Sequence, residues 1–251
     1  MMVFRSAAFN ALFYLNLVLQ MILGLPTVLF GQPAVLRLAC FWGRSSLWLL
    51  ERVCGTRVEV RGIERIPAGG IIVAAKHQSF LDILAMLSVF PHSTFVLKRQ
   101  LMRIPLFGLY LSRSGQIGID RSRGRAALTQ AVRGAARAIE DGRQFLIFPE
   151  GTRRPPGAPP SYKYGVAAIY QETGARCVPV ALNSGLFWPR REFLRRPGTV
   201  VVEILEPIEP GLEKAAFLVL LQERIEAASD RLLNEALAHD PGLGRRSAGR
   251  V

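Results

Sequence analysis

His77 is the residue whose type and setting best suit it to chemistry. It follows the apolar run Ile71–Ala75, which predicts a strand, and precedes residues 81–89, which predict a helix. Asp82, five residues after His77, would lie about one turn into that helix and could reach the imidazole. A carboxylate on one ring nitrogen fixes the tautomer and leaves the other nitrogen free as a base. The pair predicts general-base chemistry at the end of a strand.

The same residues allow two other interpretations. Ser79 and Asp82 have the spacing of a capping box, in which Asp82 would only stabilise the first helical turn. Ser79 could be a nucleophile, but it lacks the Gly-x-Ser-x-Gly turn, and a helix cap is the better use for it. The other histidines are less suited to catalysis, because His92 lies in a Pro-His-Ser turn and His239 opens the C-terminal tail.

A second group of reactive side chains lies in residues 148–154. An apolar run at 144–148 predicts a buried strand, after which Glu150, a glycine and two arginines follow. Arginine suits a phosphate group because its planar fork donates paired, charge-assisted hydrogen bonds. The alternative is an ordinary strand-to-loop turn with solvated charges.

A third strand end, residues 115–121, closes on the charged pair Asp120-Arg121. Further basic residues flank it, namely Lys98, Arg99, Arg103, Arg113, Arg123 and Arg125. They have no interleaved aromatic residues and belong to no recognisable nucleic-acid-binding module. We therefore expect a phosphate-lined cleft here, and no nucleic-acid partner.

The elements that must position these residues alternate along the chain. Strands are predicted at 57–60, 71–75, 94–97, 116–119, 144–148, 177–182 and 200–205, and helices at 81–89, 105–111, 126–140, 163–172 and 213–238. This alternation predicts an α/β fold with a mostly parallel or mixed sheet covered by helices, and sites at the strand ends. We assign this domain to residues 56–239 and predict a disordered basic tail at 240–251.

Residues 1–55 predict a membrane-associated helical segment. No charged residue occurs between Ser6 and Leu36, and residues 4–23 nearly suffice to cross a bilayer. A break containing glycine and proline separates them from an amphipathic helix predicted at 34–50. Two geometries fit, one spanning helix or a helical hairpin embedded in one leaflet; a buried core helix or a cleaved signal peptide fits less well. Basic residues after the segment favour a catalytic domain on the cytoplasmic side.

Composition limits the partners and the compartment. The formal net charge of +13 requires an anionic partner, which could be nucleic acid, a membrane surface or a phosphorylated small molecule. The apolar N-terminal segment favours a membrane. The three cysteines are widely spaced without a Cys-x-x-Cys pair, which argues against a disulfide framework or structural zinc and favours a reducing compartment.

Four segments, in this order, resemble the four motifs of the glycerolipid acyltransferase family. They are KHQSFLD at 76–82, GQIGIDR at 115–121, FPEGTRR at 148–154 and CVPV at 177–180, and Lys98, Pro105, Gly108, Lys163 and Gly165 also match. The resemblance covers about residues 58–208 and is strongest to the bacterial enzymes that acylate 1-acyl-glycerol-3-phosphate. One departure is Lys76, where the family often has asparagine; it leaves the base intact but adds a charge near the site.

The resemblance implies a role for each matching residue. His77 corresponds to the catalytic base and Asp82 to its partner. Acceptor-binding positions correspond to Arg121, Glu150 and Gly151, with Arg121 as the phosphate contact, and Pro179 corresponds to a position associated with the acyl chain or donor. The predicted substrate-binding set is completed by Lys98, Thr152 and Arg153.

The resemblance also implies a reaction. A fatty-acyl group passes from a thioester, acyl-CoA or acyl carrier protein, to the sn-2 hydroxyl of lysophosphatidic acid, which gives phosphatidic acid for phospholipid biosynthesis at the bacterial inner membrane. We expect no metal ion and no cofactor beyond the thioester. The alternatives are another lyso-lipid acceptor, such as a lyso-ornithine lipid, a non-catalytic basic membrane-binding protein, and, least favoured, a nucleic-acid-binding protein.

Overall fold

A seven-stranded mixed sheet organises residues 1–243, which are the part of the chain that the computed structural model describes, apart from the side chain of Arg121. The strands are β1 Thr56–Arg61, β2 Ile71–Ala75, β3 Ser93–Lys98, β4 Ile117–Ile119, β5 Gln144–Ile147, β6 Cys177–Leu182 and β7 Gly198–Ile204. Their order is β1-β7-β6-β2-β5-β3-β4, and only β6 and β7 pair antiparallel. The predicted mostly parallel or mixed sheet is confirmed.

Helices cover both faces of this sheet. They are α1 Met2–Leu23, α2 Gln32–Cys54, α3 Leu81–Val89, α4 Phe107–Arg113, α5 Arg125–Glu140, α6 Gly165–Thr173 and α7 Lys214–His239. Each helix and strand predicted from the sequence overlaps one of these elements. Of the tail predicted to be disordered, residues 244–251 lie outside the described part.

The central strand β2 separates two apolar cores. Its alternate residues Ile71, Val73 and Ala75 pack towards α1, α2 and α3, whereas Ile72 and Ala74 pack towards α5, α6 and α7. All five residues are buried, as expected for a central strand covered on both faces. This strand is therefore a rigid base for whatever follows it.

The N-terminal helices form a hairpin that packs on the domain. Phe9 and Phe13 of α1 are buried in the core beside Trp188, and the Asn16 amide of α1 donates to the hydroxyls of Ser45 and Ser46 on α2 at 3.0 and 3.2 Å. The turn Leu25–Phe30 joins the two helices. Among the described residues, α1 is the one helix long and apolar enough to cross a membrane. Only 17% of its most apolar 18-residue stretch is buried within the protein.

Candidate active site

The backbone at the end of β2 places His77 and Asp82 in contact. The Lys76 amide still donates to the Val180 carbonyl of β6 at 2.9 Å, so the sheet fixes the chain up to the residue before His77. His77 Nδ1 lies 2.9 Å from Asp82 Oδ2 in the first turn of α3, as the spacing predicted. With the hydrogen on Nδ1 directed at the carboxylate, Nε2 is left to accept a proton.

Three further donors hold the Asp82 carboxylate, which is fully buried. Its Oδ2 accepts from the amides of Gln78 at 2.7 Å and Ser79 at 2.8 Å, and its Oδ1 accepts from the Ser184 hydroxyl. The Ser79 hydroxyl donates to the Trp188 carbonyl and accepts from the Leu81 amide, so it stabilises the start of α3. Ser79 is thus used structurally, and the geometry gives no support to a nucleophilic serine.

The strand β5, parallel to β2 and next to it, brings the 148–154 segment to the same edge of the sheet. The Phe148 ring stacks on the His77 ring with centroids 3.8 Å apart. The Arg154 amide donates to the His77 carbonyl at 2.8 Å. Two motifs that lie far apart in the sequence therefore form one site.

A cavity of about 580 Å³ opens at His77. Its wall is mostly apolar and comes from α1, α2, α3, α4 and β3, through Leu17, Met21, Val35, Leu38, Ala39, Trp42, Ile83, Leu87, Phe95, Leu97, Phe107, Tyr110 and Leu111. Four residues predicted to bind substrate also line it, namely Lys98, Gly151, Thr152 and Arg153. The cavity thus joins a base, a basic patch and a surface fit for an aliphatic chain.

Three predicted substrate-binding side chains are placed differently. Glu150 is buried and pairs with Lys76, and Pro179 lies within β6 beside Ala74; neither lines the cavity. The backbone of Arg121 begins a short turn after β4, but its side chain lies outside the described part. The positive charge that the sequence places near the site at Lys76 is neutralised, because its ammonium group pairs with the carboxylates of Glu150 and Glu226.

Arg190 lines the same cavity and was not among the predicted binding residues. Its guanidinium donates to the Arg153 carbonyl at 3.2 Å and approaches the Thr152 hydroxyl at 3.4 Å. Burial lowers the pKa of Arg153, and the positive charge of Arg190 lowers it further. The sequence gives no signal for this role, because Arg190 lies in the segment 183–190, which belongs to none of the four motifs.

Comparison with known proteins assigns the chain to a family. The model of the family described as Acyltransferase matches residues 57–183, which include His77, Asp82 and the 148–154 segment. The chain belongs to the acyltransferase family. The similar proteins described next are named as 1-acyl-sn-glycerol-3-phosphate acyltransferases, which agrees with this family. The acyltransferase is thus an enzyme that acylates a hydroxyl group.

The acyltransferase is 36% identical over 186 residues to the 1-acyl-sn-glycerol-3-phosphate acyltransferase of Pseudomonas aeruginosa, which covers 74% of the chain and 72% of that relative. It is 31% identical over 204 residues to the alpha form from Ovis aries, covering 80% of the chain and 71% of the relative. The crystal structure of the 1-acyl-sn-glycerophosphate (LPA) acyltransferase PlsC from Thermotoga maritima superposes with a TM-score of 0.78 at 26% identity. That match covers 92% of this chain and 98% of the other.

Proposed function

We propose that this acyltransferase moves a fatty-acyl group from a thioester to the sn-2 hydroxyl of 1-acyl-glycerol-3-phosphate and so forms phosphatidic acid. The observation that carries the proposal is the His77–Asp82 pair at the mouth of an apolar cavity beside Arg153 and Arg190. The names of the two relatives described above give 1-acyl-glycerol-3-phosphate as their acceptor. A base, an anion site and an apolar wall are the three features that this reaction needs.

The reaction begins with the acceptor hydroxyl, which is a poor nucleophile near neutral pH. His77 Nε2 takes its proton while the oxygen attacks the thioester carbonyl, and Asp82 stabilises the resulting imidazolium. The tetrahedral intermediate then expels the thiolate, which ends as a thiol after taking up the proton. Because a thiol has a pKa of about 8.5, the departing sulfur needs little help from an acid. General-base assistance contributes about 10²–10⁴ to the rate.

The acceptor phosphate would bind between Arg153 and Arg190. In the part of the chain that the structure describes, neither arginine forms an ion pair with a carboxylate, and burial together with mutual repulsion disfavours the charged form of Arg153. A phosphate dianion would relieve this repulsion and accept charge-assisted hydrogen bonds from both. This observation favours a phosphorylated acceptor over a lyso-ornithine lipid. The apolar wall would hold the acyl chain of the donor, acyl-CoA or acyl carrier protein.

The N-terminal hairpin would lie in one leaflet of the bacterial inner membrane, with the domain on the cytoplasmic side. The α1 helix exposes apolar side chains along its length, including Phe4, Leu15, Leu19, Ile22 and Leu23. Its other face is bound to the domain, because the Arg195 amide donates to the Ser6 hydroxyl and the Arg195 guanidinium to Asn10, at 2.9 and 3.1 Å. A helix that crossed the bilayer would have to give up these contacts, so we favour the hairpin.

The reaction as proposed uses no metal ion and no cofactor besides the thioester. Within residues 1–243, His, Cys, Asp and Glu side chains form no cluster that could hold a metal.

A non-catalytic membrane-binding protein would not need the ordered His77–Asp82 pair.

Acyl transfer to lysophosphatidic acid by purified wild type, His77→Ala and His92→Ala tests the proposal. His92 is exposed and lies outside the cavity, which makes its replacement a matched control. We expect His77→Ala to lose about 10²–10⁴ in turnover and His92→Ala to match wild type. Wild-type activity on another lyso-lipid alone would show that the acceptor is wrong, and equal activity of all three proteins would refute His77 as the base.

A further inference from the structure

A buried cluster of charged side chains lies behind the catalytic pair. Lys76 Nζ lies 3.2 Å from Glu150 Oε1 and 2.7 and 2.8 Å from the two carboxylate oxygens of Glu226. The side chains of Lys76, Glu150 and Glu226 are 3%, 1% and 18% exposed. They come from the end of β2, the loop after β5 and the middle of α7. We call these three residues the Lys76 cluster.

The charges of the Lys76 cluster balance only when Arg154 is counted with its three residues. Arg154 Nε lies 3.7 Å from Glu150 Oε1, so two cations face two carboxylates. The Tyr162 hydroxyl donates to Glu226 at 2.8 Å, and burial, together with the adjacent carboxylate, raises the pKa of Tyr162. Burial raises the pKa of Glu150, whereas Lys76 opposes this rise, and the second oxygen of Glu150 has no hydrogen-bond partner. Loss of Lys76 would leave two poorly compensated buried carboxylates.

The residues next to the Lys76 cluster in the chain are those of the active site. Lys76 directly precedes His77, and Glu150 directly precedes Gly151, Thr152 and Arg153, which line the cavity. The cluster therefore fastens both segments to α7. Because Glu150 does not itself line the cavity, its carboxylate can affect the reaction only indirectly, through the positions of the segments that it holds.

We propose that Lys76 and Glu226 are positioning residues for the acyl transfer, and that Glu150 acts through them instead of contacting the acceptor. This rests on the proposed function only in that turnover is one of its readouts. Glu226 lies beyond residues 57–183, the part that the family model matches. A buried ion pair is a weak source of net stability, but removing one partner leaves the other charge uncompensated in the interior. A misplacement of about 1 Å at a reacting centre costs about 100-fold in rate.

The test compares Lys76→Met, Glu226→Gln and the double variant with wild type. Glu223→Gln is the matched control, because Glu223 is an exposed glutamate on the same helix without an ion pair among the described residues. We expect Lys76→Met to lower kcat about 100-fold. The KM for the donor should not change, because its acyl chain binds between other helices. Adding Glu226→Gln removes one stranded carboxylate and should restore kcat about tenfold.

A second readout does not depend on turnover. Diethyl pyrocarbonate modifies an accessible imidazole nitrogen, and the His77 side chain is 13% exposed. We expect the modification rate of His77, mapped by mass spectrometry, to change in Lys76→Met, to return towards wild type in the double variant and to stay unchanged in Glu223→Gln. If wild type acylates no lyso-lipid, the proposed function fails and this labelling still decides the positioning role.

Two results would overturn the positioning role. One is a double variant in which the two losses of kcat multiply, because the residues would then act separately. The other is an unchanged His77 modification rate in Lys76→Met. If Lys76→Met does not fold, Glu226→Gln and Glu226→Ala decide, since only glutamine can keep hydrogen bonds to Lys76 and Tyr162. Equal kcat in those two variants would then contradict the role.

Discussion

At the scale of single residues, charge pairing separates the side chains that build the site from those that are free to meet a substrate. Asp82 accepts from four protein donors, and Lys76 pairs with Glu150 and Glu226. Arg153 and Arg190 differ, because they line the cavity and, within the described chain, no carboxylate forms an ion pair with either, although the charge of Asp82 acts on Arg153 from a greater distance. The acceptor's phosphate would supply the missing negative charge.

Replacing Arg190 by glutamine should therefore weaken acceptor binding selectively. A hydrogen bond to a charged group contributes about 1.5–3 kcal/mol, which corresponds to a rise in KM for lysophosphatidic acid of about 10- to 150-fold. The KM for the donor should not change. An acceptor without phosphate, such as monoacylglycerol, should be acylated at the same low rate by wild type and Arg190→Gln. Steady-state kinetics in mixed micelles with all three substrates measures this selectivity.

Arg191→Gln is the control for this prediction, since it removes the same charge one position further along and does not line the cavity. We expect its kinetics to follow wild type. An equal rise in KM for both variants would mean that the loop acts through its overall charge, and the specific phosphate contact of Arg190 would be wrong.

At the scale of helices and strands, local patterns in the sequence carried most of the fold. Every predicted strand and helix is present in the structure. They could be predicted because apolar patterns of period 2 and 3.6, with glycine and proline at their breaks, are local signals in the sequence. The His77–Asp82 contact was predictable for the same reason, as it joins a strand end to the next helical turn. The antiparallel pairing of β6 with β7 carries no such local signal.

Contacts across long sequence separations were not predictable. Glu226 meets Lys76 from 150 residues away, and Ser184 meets Asp82 from 102 residues away. Each contact depends on how α7 or the loop after β6 packs on the sheet, and no spacing between the residues encodes that packing. Arg190 reaches the cavity by the same loop. The base was thus readable from the sequence, whereas much of its surroundings was not.

The cavity wall belongs to this scale too, because four helices and a strand build it. Ala39 of α2 lines the cavity, so Ala39→Phe should fill part of the space for the acyl chain. We expect turnover with long-chain donors to fall more than turnover with short-chain donors, which a series of acyl-CoA chain lengths would reveal. In an apolar pocket, one methylene group changes the specificity by about 10- to 200-fold, and the difference between donor chain lengths should not exceed this per methylene.

The control for the cavity prediction is Ala227→Phe, which adds the same ring to an exposed position of α7. Its chain-length profile should match wild type. A parallel loss of rate at every chain length in Ala39→Phe would mean that the cavity does not hold the donor chain.

At the scale of the whole molecule, the sheet divides two environments. The hairpin and α3 pack on one face, and α5, α6 and α7 pack on the other. The cavity lies on the hairpin side, with walls from α1 and α2. If the exposed side of α1 lies among lipid tails, a lyso-lipid could reach His77 without its acyl chain entering water. Membrane binding and catalysis would then depend on the same pair of helices.

The leaflet geometry predicts where the tip of the hairpin lies. Leu29 in the turn Leu25–Phe30 is 86% exposed to the surroundings of the protein, and Phe4 near the start of α1 is 79% exposed. In a hairpin, the tip is buried in lipid and both helix ends stay on the cytoplasmic side. In a spanning helix, one of these two positions reaches the periplasm. The native cysteines are all buried and should react slowly.

Single substitutions Leu29→Cys, Phe4→Cys and Glu223→Cys, treated with a membrane-impermeant maleimide, separate the two geometries. In intact spheroplasts we expect no labelling at any of the three positions, because in the proposed hairpin geometry none of them faces the periplasm. In inside-out vesicles Glu223→Cys should react, as an exposed position of α7, whereas Leu29→Cys should stay protected until detergent is added. Labelling of Leu29→Cys or Phe4→Cys in spheroplasts would show that α1 spans the membrane and that its contacts with Arg195 are absent in the bilayer.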